Sequence, residues 1–188
     1  MGSFVAIEGL DGVGKSTVVK RLAEIYSGHA MSTPGPALRG SRPVVLEAFA
    51  HDELAKALFY AASVSSEGRQ AISLAESGKW VFMDRYWAST LAYAKARGVM
   101  ADLDALSKSL IPPDITILLL LDEPERRHRL HTRGATVEDM ETLDPYFRKR
   151  VLDELQARAN LVVNISGLSE MDVSAKLVRA IKDNLPVH

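Results

Sequence analysis

The sequence predicts a three-layer α/β fold, with a parallel sheet covered by helices on both faces. Three observations lead there. Short, mainly apolar runs recur at residues 4–7, 80–83, 115–121 and 161–165, the pattern of strands buried in a parallel sheet. Segments of helical periodicity separate them, and strands alternating with helices imply parallel pairing through right-handed crossovers. The first run also leads directly into Gly9-Leu10-Asp11-Gly12-Val13-Gly14-Lys15-Ser16-Thr17, a glycine-rich turn that opens a helix.

Residues 4–7 form the first buried strand, bounded by Glu8-Gly9. Over 15–26, Val18, Val19, Leu22, Ala23 and Ile25 recur at helical spacing, and Gly28 stops the helix. A weaker second strand is placed at 29–32. Thr33-Pro34-Gly35-Pro36, Gly40 and Pro43 then exclude long regular structure; this stretch reads equally as a connector or as a substrate loop beside a strand end. Helices are expected over 44–50 and 52–77, the second capped by Asp52 and stopped by Gly78. Phe59 and Tyr60 lie about two turns into it, where aromatics serve the core more often than a ligand. The run Trp80-Val81-Phe82-Met83 ends in Asp84-Arg85, which puts a charged pair at the carboxyl end of a strand, the edge where open α/β sheets bind ligands. Two further helices are expected at 88–97 and 101–110, broken at Gly98. Pro112-Pro113-Asp114 precedes the clearest strand, 115–121, and a short basic helix follows over 125–133, ended by Gly134. An acidic polar segment at 138–144, a helix at 145–160, a strand at 161–165 and a closing helix through Ile181, capped by Ser169 or Asp172, complete the chain.

A chain of 188 residues suits one domain, 1–188. Lys and Arg total 23 against 24 Asp and Glu, a formal net charge of -1, so no bulk field draws nucleic acid or an anionic membrane. Any phosphate must therefore be held locally. Cysteine is absent, which excludes disulfides and thiolate metal sites and fits a reducing compartment. The first strand begins too early to leave room for a targeting peptide, and the longest apolar run is too short to span a bilayer. A soluble, cytoplasmic protein is expected.

The segment from Gly9 to Thr17 has the form G-x-x-x-x-G-K-S. Gly9, Gly12 and Gly14 let the backbone bend so that successive N–H groups, including that of Val13, face an anion; Lys15 adds a mobile cation, and Ser16 a hydroxyl ligand for magnesium. The helix starting at Lys15 contributes its free N–H groups and the positive end of its dipole. Asp84, at a strand tip in the same sheet, can hold magnesium opposite Ser16 through water; its plainer reading is a strand-end cap or an ion pair with Arg85. Because Lys15 already serves the first set of phosphates, Arg85 is free to hold a second, that of an acceptor. The basic helix offers Arg126, Arg127, Arg129 and Arg133, with Arg129 and Arg133 four apart on one face. Such a helix is usually a solvated face, but here it suits a lid, at about 126–144, that closes arginines onto a transferring phosphoryl group and excludes water. His128 and His131 share a helix face without completing a zinc ligand set, and a solvated face is the stronger reading for them.

Taken with Asp84-Arg85-Tyr86-Trp87-Ala88-Ser89-Thr90-Leu91-Ala92-Tyr93, the stretch Glu8 to Thr17 resembles the thymidylate kinase family of nucleoside monophosphate kinases. The resemblance runs nearly end to end, through Pro113-Asp114, the Leu118 to Leu121 strand, Arg133-Gly134 and Phe147-Arg148. Ser32-Thr33-Pro34, Phe59-Tyr60-Ala61, Asp84-Arg85-Tyr86-Trp87 with Ser89-Thr90, and Phe147-Arg148-Lys149-Arg150-Val151 look closest to the mitochondrial UMP-CMP kinase branch. The resemblance implies a three-layer P-loop nucleoside monophosphate kinase fold, ATP and Mg2+ as cofactors, and a homodimer. By the same resemblance Asp11 orients the acceptor's sugar hydroxyl and the Asp-Arg pair, and Arg85 binds the acceptor phosphate. Phe59 or Tyr60 stacks on the base, Ser89 and Thr90 line its pocket, Tyr93 lies near the 2' position, and Pro34 belongs to the acceptor loop. Departures from the family pattern are Ser63 and Val64 where an arginine follows the aromatic, the Ser32-Thr33-Pro34-Gly35-Pro36 loop, with Arg39 or Arg42 as substitute cations, the bare Gly12, and a lid at 135–142 without arginine or lysine.

The function expected is transfer of the γ-phosphoryl of MgATP to a pyrimidine nucleoside monophosphate (dTMP, dUMP, UMP or CMP). Lys15, Arg85, Asp84, Arg129 and Arg133 carry the chemistry, and Ser16 and Asp84 hold the metal. The alternatives are a thymidylate-specific kinase reading its base through backbone, water and Thr90; a deoxynucleoside kinase using Glu8 or Asp84 as base; and a nucleotide-binding module without transfer activity.

Overall fold

The computed structural model describes residues 2–134 and 136–185. Strand β1 (Phe4–Glu8) is buried along its whole length and occupies the centre of a five-stranded sheet. With β2 (His29–Ser32), β3 (Val81–Asp84), β4 (Ile115–Leu120) and β5 (Leu161–Asn164) it gives the order β2-β3-β1-β4-β5, every neighbouring pair parallel. Alternation along β1 divides the core. Val5 and Ile7 pack on one face with Leu22, Phe82, Ile117, Leu155 and Leu177, whereas Phe4 and Ala6 pack on the other with Val64, Ala71, Met83 and Tyr86. Both faces are therefore covered, and the three-layer expectation holds.

The helices are α1 (Lys15–Ile25), α2 (Pro36–Arg39), α3 (Arg42–Ala48), α4 (Glu53–Glu76), α5 (Trp87–Ala96), α6 (Glu123–Arg133), α7 (Val137–Glu141), α8 (Pro145–Gln156) and α9 (Glu170–Asn184). Register places Ile7 opposite Asp84, Glu8 opposite Leu118 and Ser32 opposite Asp84. The loops after β1, β2 and β3 consequently leave the sheet at one edge, and that edge carries the site.

Several boundaries differ from the sequence reading for identifiable reasons. The helix expected over 101–110 is a 3-10 turn, Asp104–Ser109; only Leu103 is buried there and Leu106 is exposed, so no apolar face holds an α-helix in place. Pro36 and Pro43 start α2 and α3 at their first turns, where a missing N–H costs nothing. The acidic segment holds α7, nucleated by a Thr136–Asp139 capping box. Helix α8 stops at Gln156, ahead of Asn160, whose backbone N–H donates to Thr116 and whose side chain accepts from it, committing the chain to β5. Ser169 caps α9. No helix among the described residues is long and apolar enough to cross a membrane.

Phe82 sits in β3 with no exposed surface, against Tyr26 and Trp80 at centroid distances of 5.4 and 6.0 Å. Replacing it by alanine should cost about 3–5 kcal/mol, read as a lower urea midpoint with an unchanged slope. A loss below about 1 kcal/mol would contradict a tightly packed face there.

Candidate active site

The loop after β1 has the backbone its glycines permit. Gly9, Gly12 and Gly14 adopt φ of 148°, 88° and 96°, and a Cβ on Gly9 would lie 2.9 Å from the Leu119 carbonyl oxygen. One on Gly12 would lie 2.9 Å from Leu130 Cγ. Gly12 is therefore bare because α6 packs on it, and a basic side chain has no room there. Lys15 curls across the loop and donates to the Leu10 carbonyl at 2.9 Å. Burial, reinforced by Arg85 and opposed by Asp11, lowers its pKa to about 8, a cost that an anion in the loop would remove. Ser16, at the start of α1, donates to Asp84 at the end of β3. These two oxygens suit a hard divalent cation such as magnesium.

Arg85 follows β3 with φ of 65°, the left-handed region that non-glycine residues seldom occupy. Its N–H bonds the Ile7 carbonyl at 3.0 Å, and its guanidinium, turned toward the loop, donates to Asp11 Oδ1 at 2.7 Å and Ser89 Oγ at 3.0 Å. Although burial pushes the Asp11 carboxyl upward, Arg85 and Lys15 overcome this and hold it well below the usual carboxylate range. Behind Arg85 lies Glu8, without exposed surface. Its carboxylate accepts from the backbone N–H groups of Tyr86 and Ser89 at 2.9 and 3.2 Å and from the Ser89 hydroxyl. Burial raises the Glu8 pKa, against the pull of Ser89 and Arg85. A relay thus runs Glu8–Ser89–Arg85–Asp11. The Tyr93 ring closes the pocket between Arg85 and Arg97, whose guanidinium carbons lie 5.2 and 5.5 Å from its centroid. Tyr93 OH donates to Asp11 Oδ2 at 3.3 Å, and burial drives its pKa up to about 12.

The arginines of α6 divide by role. Arg126 is fully buried and donates to the Asp11 carbonyl at 2.9 Å, to Thr142 Oγ1 and O at 3.0 and 2.9 Å, and to Glu123. It ties the phosphate loop to the far end of α7. Arg129 reaches the Val13 carbonyl at 3.2 Å and lies 3.3 Å from where a Cβ on Gly14 would stand. Arg133 instead donates to the buried Asp139 at 2.6 Å and acts on Asp11 only through its charge. Of the expected lid at 126–144, Ala135 lies outside the described residues.

Other expected residues gather around the same edge. Thr33 donates through its hydroxyl to the Arg85 carbonyl at 2.9 Å and through its N–H to that of Asp84 at 3.2 Å, which seats Pro34 beside Arg85. Arg39 reaches this loop through Ser32 Oγ at 2.8 Å, whereas Arg42 donates to Tyr60 OH at 2.9 Å. Phe59 and Tyr60 are half-buried neighbours, with ring centroids 5.3 Å apart. The hydroxyls of Ser89 and Thr90 are used within the protein, Thr90 bonding the Tyr86 carbonyl at 3.5 Å. Sequence reasoning placed Arg126 on the basic lid helix and Glu8 only as a possible base, and assigned neither a positioning role. Two signals pointed to them: a carboxylate ending a fully apolar strand, and Arg126 placed four before Leu130 on the apolar face of α6.

Strand order, the loop after β1 and the charged pair after β3 define the P-loop nucleoside monophosphate kinase fold. A sequence model of the thymidylate kinase family matches residues 7–177. A probable thymidylate kinase of Thermococcus gammatolerans is 33% identical, covering 100% of this chain and 93% of its own. A thymidylate kinase of Rhizorhabdus wittichii is 31% identical over 98% and 99%. The chain belongs to the thymidylate kinase family and is an ATP-dependent nucleoside monophosphate kinase. The solved thymidylate kinase of Candida albicans superposes with a TM-score of 0.80 at 24% identity, over 97% of this chain and 92% of that one, which supports the fold. These matches lend no support to the narrower resemblance to the UMP-CMP kinase branch.

The Asp11–Arg85 pair makes a pH-dependent contribution to stability. Because the folded carboxyl sits below its unfolded value, the contribution is complete above about pH 4 and is lost as pH falls toward the folded value. Wild type should therefore exceed Asp11→Asn in urea stability at pH 7, and the margin should narrow by up to about 1.4 kcal/mol per pH unit below about pH 4. A margin independent of pH would refute the pairing.

Proposed function

We propose that the protein transfers the γ-phosphoryl group of MgATP to the 5'-phosphate of dTMP, giving dTDP. One observation carries this reading: Lys15 Nζ and Arg85 Nη2 converge on the same oxygen, Asp11 Oδ1, at 4.0 and 2.7 Å. Two cations from different elements, spaced by one carboxylate, suit two phosphates brought end to end. Membership of the thymidylate kinase family favours dTMP over the wider pyrimidine set.

Phosphoryl transfer asks the protein chiefly for alignment and charge stabilisation. Lys15 and the N–H groups of residues 9–17 hold the donor phosphates. Ser16 and Asp84 would hold Mg2+, which neutralises phosphate oxygens when bound. Arg85, fixed by Glu8 through Ser89, aligns the acceptor phosphate, and Asp11 faces its sugar. Tyr93, immobilised between two guanidinium groups, walls the 2' side, while Phe59 offers its ring to the base. Arg129, already at the mouth of the loop, meets charge building on the transferred group. The lid over the donor is α6 with α7, its root held by Arg126. The acceptor is an ionised phosphate oxygen, so no general base is required.

Lys15→Ala and Arg85→Ala should each lower turnover a hundredfold or more, about 3 kcal/mol of transition-state stabilisation. ADP release measured with dTMP, dUMP, UMP, CMP and thymidine should give dTMP the highest kcat/KM. Turnover of thymidine without any monophosphate, or no ADP from any acceptor, would overturn the proposal.

A further inference from the structure

Arg97 closes α5 one turn beyond Tyr93, and the reaction as described gives it no task beyond walling in that ring. Its side chain is only 16% exposed, yet it meets three elements at once. The guanidinium lies over the Tyr93 ring, 5.5 Å from its centroid, as that of Arg85 does at 5.2 Å. Through Nη2 it donates to Glu141 Oε2, at the end of α7, at 2.6 Å. Its Nε lies 3.6 Å from Glu53 Oε2, at the start of α4. Both of these last atoms are buried, and neither has a hydrogen-bond partner among the described residues. The other oxygen of Glu53 pairs with Lys56 at 2.6 Å, which leaves Oε2 to Arg97.

These contacts form a latch that can be released. Helix α7 has five residues, too few to persist without tertiary ties. Thr142, next to Glu141, accepts from Arg126, which also donates to the Asp11 carbonyl. The end of α7 is therefore held from two sides, by Arg126 from the phosphate loop and by Arg97 from the acceptor pocket. Removing the partner of a buried charge is normally costly. Here a departing Glu141 would not strand Arg97, because Glu53 stands within a short shift of its Nε. One tight and one slack carboxylate partner let α7 part from α5 and return to it.

We propose that Arg97 is a positioning residue that couples the acceptor pocket to the lid, holding Glu141 of α7 in place when an acceptor seated against Tyr93 pins the guanidinium over the ring. The inference rests on the two-substrate reading above and goes beyond it. An acceptor packed on Tyr93 limits the motion of the ring and, through the stacked guanidinium, that of Arg97. A fixed Arg97 holds Glu141 more firmly, and the adjoining Thr142–Arg126–Asp11 contacts pass the constraint to the loop around Lys15. Coupling between two sites is reciprocal, so nucleotide in the loop favours the same arrangement and tightens the acceptor pocket. Closure on a full site alone keeps water from ATP that has no acceptor.

The experiment measures the Kd of dTMP by calorimetry, with and without the magnesium complex of the non-hydrolysable ATP analogue AMP-PNP, in wild type, Arg97→Met, Glu141→Ala and the double variant. In wild type the analogue should tighten dTMP about fivefold or more, and in each variant by less than about twofold. Glu141→Ala severs the latch at a half-exposed position, keeps a strong helix former and leaves Arg97 on Tyr93. Its Kd for dTMP alone should therefore stay within about threefold of wild type, while kcat falls about tenfold. The double variant should lose no more coupling than Arg97→Met, since both changes break one contact. Coupling retained in Glu141→Ala but lost in Arg97→Met would place the effect at Tyr93 alone and overturn the latch. Coupling absent from wild type, or retained in both single variants, would overturn it as well, with the kinase reading intact. A wild type that phosphorylates no monophosphate would overturn the kinase reading, and the inference with it.

Discussion

The ion pair between Asp11 and Arg85 is the constraint around which the active edge is built. It spans 74 residues of sequence at 2.7 Å and joins the loop after β1 to the turn after β3, two strands that lie side by side in the sheet. Neither charge is well exposed, at 25% and 19% of side-chain surface, so each depends on the other, and deleting one would strand its partner in a poorly solvated setting. The groups around the pair serve to keep it in place. Glu8 and Ser89 fix the start of α5 and the guanidinium, Tyr93 covers it, and Arg126 holds the Asp11 backbone. Preorganised charge of this kind needs no rearrangement when substrates arrive.

A chain with almost no net charge still builds an intensely charged edge. Lys15, Arg85, Arg126 and Arg129 are set against Glu8, Asp11, Asp84 and Glu123, so the site is nearly neutral as a whole while its individual charges stay strong. Attraction for phosphate is thereby confined to short range, and an anion gains only by reaching the loop itself. The lowered pKa of Lys15, about 8, marks the point where that balance is least complete.

Much of this was legible in the residues. Buried parallel strands announce themselves as unbroken apolar runs, and the glycine-lysine-serine loop and the Asp84-Arg85 pair occupy strand ends where ligand chemistry belongs. What stayed hidden depends on three-dimensional neighbours. Arg126 belongs to a helix so basic that it reads as a solvated face, yet its position four before Leu130 turns it inward. Gly12 reads as a missing cation, whereas its bareness is imposed by the Leu130 side chain. Ser89, expected in the base pocket, is spent between Glu8 and Arg85, a role that shows only once the start of α5 meets Glu8 at the end of β1. The 3-10 turn at Asp104–Ser109 followed from an apolar pattern too sparse to hold a helix.

The left-handed backbone at Arg85 has an implication for anyone engineering this chain. Glycine adopts such a φ without strain, so a redesign scored on backbone preference alone would replace Arg85 and leave Asp11 without its partner charge. It would also erase the guanidinium proposed to align the acceptor phosphate. Stability and charge placement thus meet at a single residue, and a library selected only for heat tolerance would keep the arginine that a backbone score rejects.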